Sequence, residues 1–264
     1  MPLARQPPMI VGNWKMHGVT ADLAEMGVIA RELLERPTST EVVICPPATL
    51  LATASRCLDG TGIATGGQDC DAKDQGAHTG GVSAAMLVDA GARYVLLGHS
   101  ERRRLDRETN VDVAAKAAAA FRAKLRPILC VGESAAQRQA GRTLAVLRRQ
   151  VLRSCPPEAG AGRLTVAYEP VWAIGAGATP APADIEAAHA TIREALSRRY
   201  GDASASIRVL YGGSVDGANA PQLLQIAGVD GLLVGRASRR AVQFLPVVRA
   251  GETAPPPLDY LPTD

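Results

Sequence analysis

The chain has 264 residues, 47% of them hydrophobic and 21% charged, with 29 basic against 26 acidic side chains and a net charge of +3. That composition belongs to a globular chain and excludes disorder as the main state, and no run approaches the roughly 18 apolar residues that a membrane span needs. Met1 to Pro8 carries Arg5 and three prolines but no apolar core of a signal peptide, and five widely spaced cysteines without a Cys-x-x-Cys pair argue against a zinc site or a disulfide framework, which points to a reducing cytoplasm.

In chain order, short β-rich runs end in clusters of Gly, Asn, Pro or Ser and give way to longer Ala-, Leu-, Glu- and Arg-rich segments of helical period. Strands are predicted at Met9–Asn13, Val42–Cys45, Ile63–Gly67, Tyr94–Gly98, Pro127–Val131, Leu164–Tyr168, Arg208–Tyr211 and Gly231–Val234. The clearest helices between them are Ala21–Leu34, Val111–Lys124, Thr143–Val151 and Ala183–Tyr200. Near-continuous hydrophobicity suits strands covered on both faces, as in parallel sheets joined by crossover helices. Eight strand–helix units predict an α/β fold, a closed (β/α)8 barrel forming one domain over residues 1–264, with Ala254–Asp264 as a flexible Pro-rich tail. A doubly wound open sheet is the alternative, but no Gly-x-Gly-x-x-Gly follows the first strand.

The one basic patch, Arg102, Arg103, Arg104 and Arg107, has no interleaved aromatic and reads as a solvated or ion-paired helix face, so no nucleic-acid partner is expected. Only four of the 29 basic residues are lysines, Lys15, Lys73, Lys116 and Lys124, in a chain whose default cation is arginine. In a (β/α)8 barrel the reactive side chains come from the carboxyl ends of several strands. There the first run ends in Asn13 and Lys15, the fourth in His99, Ser100 and Glu101, and the sixth in Glu169. Gly212, Gly213 and Ser214 after the seventh run, with Gly235 after the eighth, stand where such barrels build phosphate sites from backbone N–H groups. A base, a cation and a neutral-capable donor beside such turns point to a small anionic substrate.

Four long segments, Gly12-Asn13-Trp14-Lys15-Met16, Gly98-His99-Ser100-Glu101-Arg102-Arg103, Ala167-Tyr168-Glu169-Pro170-Val171-Trp172-Ala173-Ile174-Gly175 and Tyr211-Gly212-Gly213-Ser214-Val215, resemble the triosephosphate isomerase family. Cys130-Val131-Gly132-Glu133 and Gly76-Ala77-His78-Thr79-Gly80 extend the likeness across Met9 to Leu245. The resemblance implies a TIM barrel that interconverts dihydroxyacetone phosphate and glyceraldehyde 3-phosphate through an enediolate, a glycolytic and gluconeogenic step that requires neither metal nor cofactor. It implies Glu169 as general base, His99 as a neutral electrophile at a helix N-terminus, and Lys15 as the cation facing oxyanion and phosphate. Asn13 is implied to hold a substrate oxygen and Glu101 to orient the lysine ammonium. Pro170 to Gly177 resembles a hinged lid, with Gly175 donating its N–H to phosphate and Gly213, Ser214 and Gly235 completing the cup. A homodimer is implied, Thr79 of one subunit reaching towards Asn13 and Lys15 of the other. His17, His78 and His189 are read as surface or turn residues without chemistry.

Three positions depart from the family pattern. Gly235-Arg236-Ala237-Ser238 replaces Gly-Gly-Ala-Ser, so Arg236 either adds a phosphate contact or points outward. Ala176 and Ala178 stand where a Thr and often a Lys occur in the lid, and Gly81 replaces an acid that pairs with the counterpart of Arg102 across the dimer. An isomerase of a tetrulose phosphate with the same catalytic set is the alternative function. A silent phosphosugar-binding barrel is disfavoured because Lys15, His99 and Glu169 are all retained.

Overall fold

The computed structural model describes residues 6–157, 163–174 and 179–253. Eight strands, β1 (Met9–Asn13), β2 (Glu41–Cys45), β3 (Ala64–Gly67), β4 (Tyr94–Leu97), β5 (Arg126–Val131), β6 (Thr165–Tyr168), β7 (Arg208–Tyr211) and β8 (Gly231–Val234), pair in parallel in chain order and close into a barrel. Closure rests on β1 and β8, with Met9 opposite Gly231 and Gly12 opposite Val234. This is the (β/α)8 barrel expected from the repeating rhythm. The strand bounds agree to within a residue; β4 stops at Leu97 because Gly98 turns into the left-handed region at φ 65°.

The helices are α1 (Leu23–Glu35), α2 (Ala48–Cys57), α3 (Ala84–Asp89), α4 (Ser100–Leu105), α5 (Asn110–Arg122), α6 (Ala135–Gln139), α7 (Thr143–Ser154), α8 (Pro182–Tyr200), α9 (Ala220–Leu223) and α10 (Ala241–Ala250). Local chemistry sets several of their starts. Thr109 and Asp112 form a capping box at α5, Ser83 accepts the Met86 N–H at α3, and Pro182 opens α8 where no N–H is needed. The α10 start borrows its cap from α1, since Ala241 N–H donates to Glu25 Oε2 at 2.7 Å.

Strand periodicity divides the core in two. Met9, Val11, Val43, Leu96, Ile128 and Leu210 fill the barrel, while Ile10, Ile44, Leu97, Leu129, Val166 and Val209 face the helices. All five cysteines are free thiols, Cys57 exposed and the rest buried. No helix among the described residues is long and apolar enough to cross a membrane.

Candidate active site

The carboxyl ends of β1, β4 and β6 bring four of the expected side chains together. Glu169, only 2% exposed, follows β6; its Oε1 lies 2.9 Å from His99 Nε2, and its Oε2 accepts the Ser100 N–H at 2.9 Å. His99 caps α4, with Nδ1 accepting the Glu101 N–H at 3.2 Å. That bond occupies the Nδ1 lone pair and leaves the ring proton on Nε2, aimed at Glu169. Burial raises the Glu169 carboxyl, but the charge and hydrogen bond of His99, the Ser100 N–H and Lys15 outweigh it and hold the group below the ordinary carboxylate range. On His99 the balance runs the other way. Burial and Lys15 lower it, and the Glu169 carboxylate, aided by Glu101, lifts it above the usual histidine value. The lift depends on Glu169 staying beside the ring.

Lys15 enters the site from β1 in a left-handed conformation, φ 55°, a strained geometry for a residue with a side chain. Two amides hold it there. Asn13 Oδ1 accepts the Lys15 N–H at 2.9 Å, and Gln68, just past β3, donates Nε2 to the carbonyls of Lys15 and Cys45, each at 2.9 Å. The Lys15 ammonium then meets Glu101 Oε1 at 2.7 Å. Asn13 is buried, so its amide serves the backbone of this turn at the floor of the site.

Glycine lets the backbone close around Glu169. A Cβ on Gly132 would stand 1.8 Å from the Glu169 carbonyl oxygen, and one on Gly212 would stand 3.2 Å from Glu169 Cγ. Gln150 of α7 fixes Gly132 from outside, accepting its N–H at 2.7 Å and donating to its carbonyl at 3.0 Å. Gly213 and Ser214 follow β7, where the Ser214 carbonyl accepts Asn219 Nδ2 at 3.0 Å. Gly235 comes within 3.7 Å of Lys15 Cε, measured from where its Cβ would be, so the turn after β8 adjoins the lysine. Arg236 is exposed and makes no hydrogen bond or ion pair among the described residues. Gly175, with Ala176 to Ala178, lies outside the described residues, as does the tail from Ala254 to Asp264.

The start of the segment after Glu169 is tied down. Trp172 Nε1 donates to Glu133 Oε1 at 2.8 Å, Tyr168 OH donates to the same oxygen at 3.3 Å, and the Arg138 guanidinium lies 4.3 Å from the Trp172 ring centre. Tyr211 OH is buried beside Gly213 and has no partner among the described residues.

Several of these residues escaped the sequence reading. Gln68 follows a strand end and was findable by that rule; Gln150 sits inside a helix and carried no signal. The arginine run divides. Arg103 turns inward and donates to the carbonyls of Gly98 at 2.7 Å and Cys130 at 3.1 Å, while Arg102 pairs within its own chain with Asp69 at 3.0 Å, Asp106 at 3.5 Å and Glu108 at 2.8 Å. His189 corrects the expectation of a surface residue: it is fully buried in α8, with Nδ1 2.9 Å from the Gly228 carbonyl, because its ring packs edge-on against Tyr168 behind the site. His17 and His78 are exposed.

Comparison with known proteins agrees with this geometry. The family model described as triosephosphate isomerase matches residues 8–251. The chain is similar to the triosephosphate isomerase of Chelativorans sp., 51% identical over 244 residues, 92% of this chain and 96% of that one. It is similar also to that of Mesorhizobium japonicum, 50% identical over 92% of this chain and 95% of the relative. The crystal structure of triosephosphate isomerase from Bartonella henselae superposes with a TM-score of 0.86 at 44% identity, covering 92% of this chain and 98% of its own.

Proposed function

The chain belongs to the triosephosphate isomerase family and interconverts dihydroxyacetone phosphate and D-glyceraldehyde 3-phosphate, and from that premise we propose the roles of its residues. Glu169 is the general base. It takes a proton from the carbon beside the carbonyl and returns it to the neighbouring carbon of an enediolate. The observation that carries this reading is the couple between Glu169 and His99 Nε2 at 2.9 Å, facing the Lys15 ammonium held by Glu101.

In the free site two hydrogen bonds keep Glu169 charged and parked. Turning to the substrate gives up both, and a desolvated carboxylate without donors is a stronger base. The same movement removes the partner that raises His99. Burial, Lys15 and the Glu101 N–H on Nδ1 then favour a neutral ring, whose Nε2–H is free to polarise the carbonyl oxygen. Lys15 opposes the charge on the oxyanion and the phosphate, Asn13 holds the turn and a substrate oxygen, and Glu101 steers the ammonium.

The phosphate is held by backbone N–H groups of Gly175, Gly213, Ser214 and Gly235, and the segment Pro170 to Gly177 acts as its lid, anchored at Trp172. Arg236, exposed beside this cup and without a partner among the described residues, adds a charge to the phosphate's rim. The catalytic unit is a homodimer acting in the cytoplasm, residues 1–264 forming one domain. The exposed loop around Thr79, with Met16 95% exposed on the same strand-end face, is the docking surface. Because Arg102 is engaged by its own chain, this contact needs no acid at Gly81.

A coupled assay with glyceraldehyde 3-phosphate, run beside erythrulose phosphates, tests the assignment. We expect turnover of the triose alone and a loss of about 10³-fold or more in kcat for Glu169→Gln. Undiminished kcat in that variant overturns the base. Sedimentation at low concentration tests the dimer, and a fully active monomer overturns it.

A further inference from the structure

The last strand of the barrel runs into a short turn that carries two arginines. After β8, Gly235 leads into a single 3₁₀ turn, Arg236–Arg239, in which Ala237 and Ser238 are buried while Arg236 is exposed and Arg239 half-buried. Side chains three apart in such a turn eclipse one another, so both guanidiniums rise from its open face. The turn beneath them is fixed. Ser238 donates its N–H and its hydroxyl to the Gly235 carbonyl, at 2.9 and 2.7 Å, and a Cβ on Gly12 of β1 would stand only 2.7 Å from Ser238 Cβ. Gly235 adjoins the lysine of the active site, its own Cβ position lying 3.7 Å from Lys15 Cε. The neighbouring Arg240 pairs with Glu25 at 3.2 Å, whereas neither Arg236 nor Arg239 makes an ion pair among the described residues. Arg239 Nε is buried there without a hydrogen-bond partner, where buried donors are as a rule paired.

We propose that Arg236 and Arg239 form a second anion subsite beside the phosphate cup, through which the enzyme takes small bisphosphates, two phosphate groups on one short carbon chain, as competitive inhibitors. One phosphate occupies the backbone cup at Gly213, Ser214 and Gly235, and the other meets the two guanidiniums outside it. Each guanidinium presents five N–H donors in a fixed fork, a geometry that matches phosphate oxygens. The substrate has a single phosphate and reaches Arg236 only at the rim of the cup, so Arg239 is not engaged during turnover. Triose isomerisation thereby answers to compounds that are not its substrates. The inference rests on the reading that the backbone after β7 and β8 holds the substrate's phosphate.

The test compares propane-1,3-diol bisphosphate with propane-1,3-diol monophosphate as inhibitors in the coupled assay; neither has a carbonyl, so neither reacts. The wild-type enzyme is expected to bind the bisphosphate about tenfold more tightly. Arg239→Leu should abolish that preference while inhibition by the monophosphate and kcat/KM for the triose stay within about twofold. Arg236→Gly should abolish it too and weaken the monophosphate as well, and it decides the matter if Arg239→Leu fails to fold. Arg240→Leu removes the same charge from a paired position and should keep the preference. Equal inhibition by the two compounds in the wild type, a preference that survives in Arg239→Leu or Arg236→Gly, or one lost equally in Arg240→Leu overturns the subsite. A monophosphate that inhibits without competing with glyceraldehyde 3-phosphate would instead remove the phosphate cup on which the subsite depends.

Discussion

At the amino end of the barrel, Glu41, Tyr94, Arg126 and Arg208, each the first residue of its strand, close on one another. At the carboxyl end, Lys15, His99 and Glu169 close around a space. In the first cluster Tyr94 OH donates to Glu41, Arg126 donates to the Tyr94 oxygen at 2.9 Å, and Arg208 pairs with Glu41 at 2.7 Å. Burial and then Glu41 push the Tyr94 hydroxyl up to about 12, so it stays protonated at any working pH. The carboxyl end holds a lysine in left-handed backbone and a buried Tyr211 hydroxyl that has no partner among the described residues. The same fold thus carries one polar cluster whose members pair largely with one another, Arg208 Nε alone lacking a partner among the described residues, and one that opens on a space. The first specifies structure and the second chemistry.

The contrast can be broken at either end. The largest effect is expected for Lys15→Met, a loss of about 10³-fold in kcat/KM from the missing cation, with the urea midpoint unchanged, since methionine keeps the same backbone and stem. A large fall in stability would place Lys15 with the structural cluster. Between the two ends, His189 should govern acid stability, because burial pushes its ring from 6.5 down to about 4. Its contribution is complete above pH 6.5. Below that the unfolded chain binds a proton that the folded chain refuses, so roughly 3 kcal/mol is lost as the pH falls towards 4. His189→Gln should flatten the stability profile over that window in denaturant titrations.

Glu41→Leu leaves Arg208 largely buried without its acid and should cost about 2–3 kcal/mol of unfolding free energy while kcat of the folded enzyme stays within about twofold. Lost turnover at full stability would contradict the division. The smallest effect belongs to Gln68→Ala, which loosens the Lys15 turn without touching substrate. About tenfold in kcat/KM, with an unchanged melting temperature, is the expected result.

The barrel was legible because each βα unit repeats the same two periods, and boundary errors stay at one residue where a glycine or capping side chain marks the end. Asn13, Lys15, His99 and Glu169 were legible because each follows an apolar run at the reactive end. The supports around them were not. Gln150 reaches Gly132 from the middle of α7 and Glu133 gathers Tyr168 and Trp172, contacts fixed by packing between units that no local spacing encodes. His189 was misplaced for the same reason, since α8 presents it to Tyr168 rather than to solvent.

The seam between β1 and β8 bears on how the protein is made. Trp14 Nε1 donates to the Ser238 carbonyl at 3.1 Å, joining the loop that carries Lys15 to the turn that follows Gly235. A ribosome delivers the lysine near the beginning of synthesis and Ser238 near its end. Until then β1 is an open edge, with unpaired backbone and an unsupported indole, through nearly the whole of translation. The nascent chain gains its reactive centre and loses its most aggregation-prone edge in the same late event, the arrival of the eighth strand.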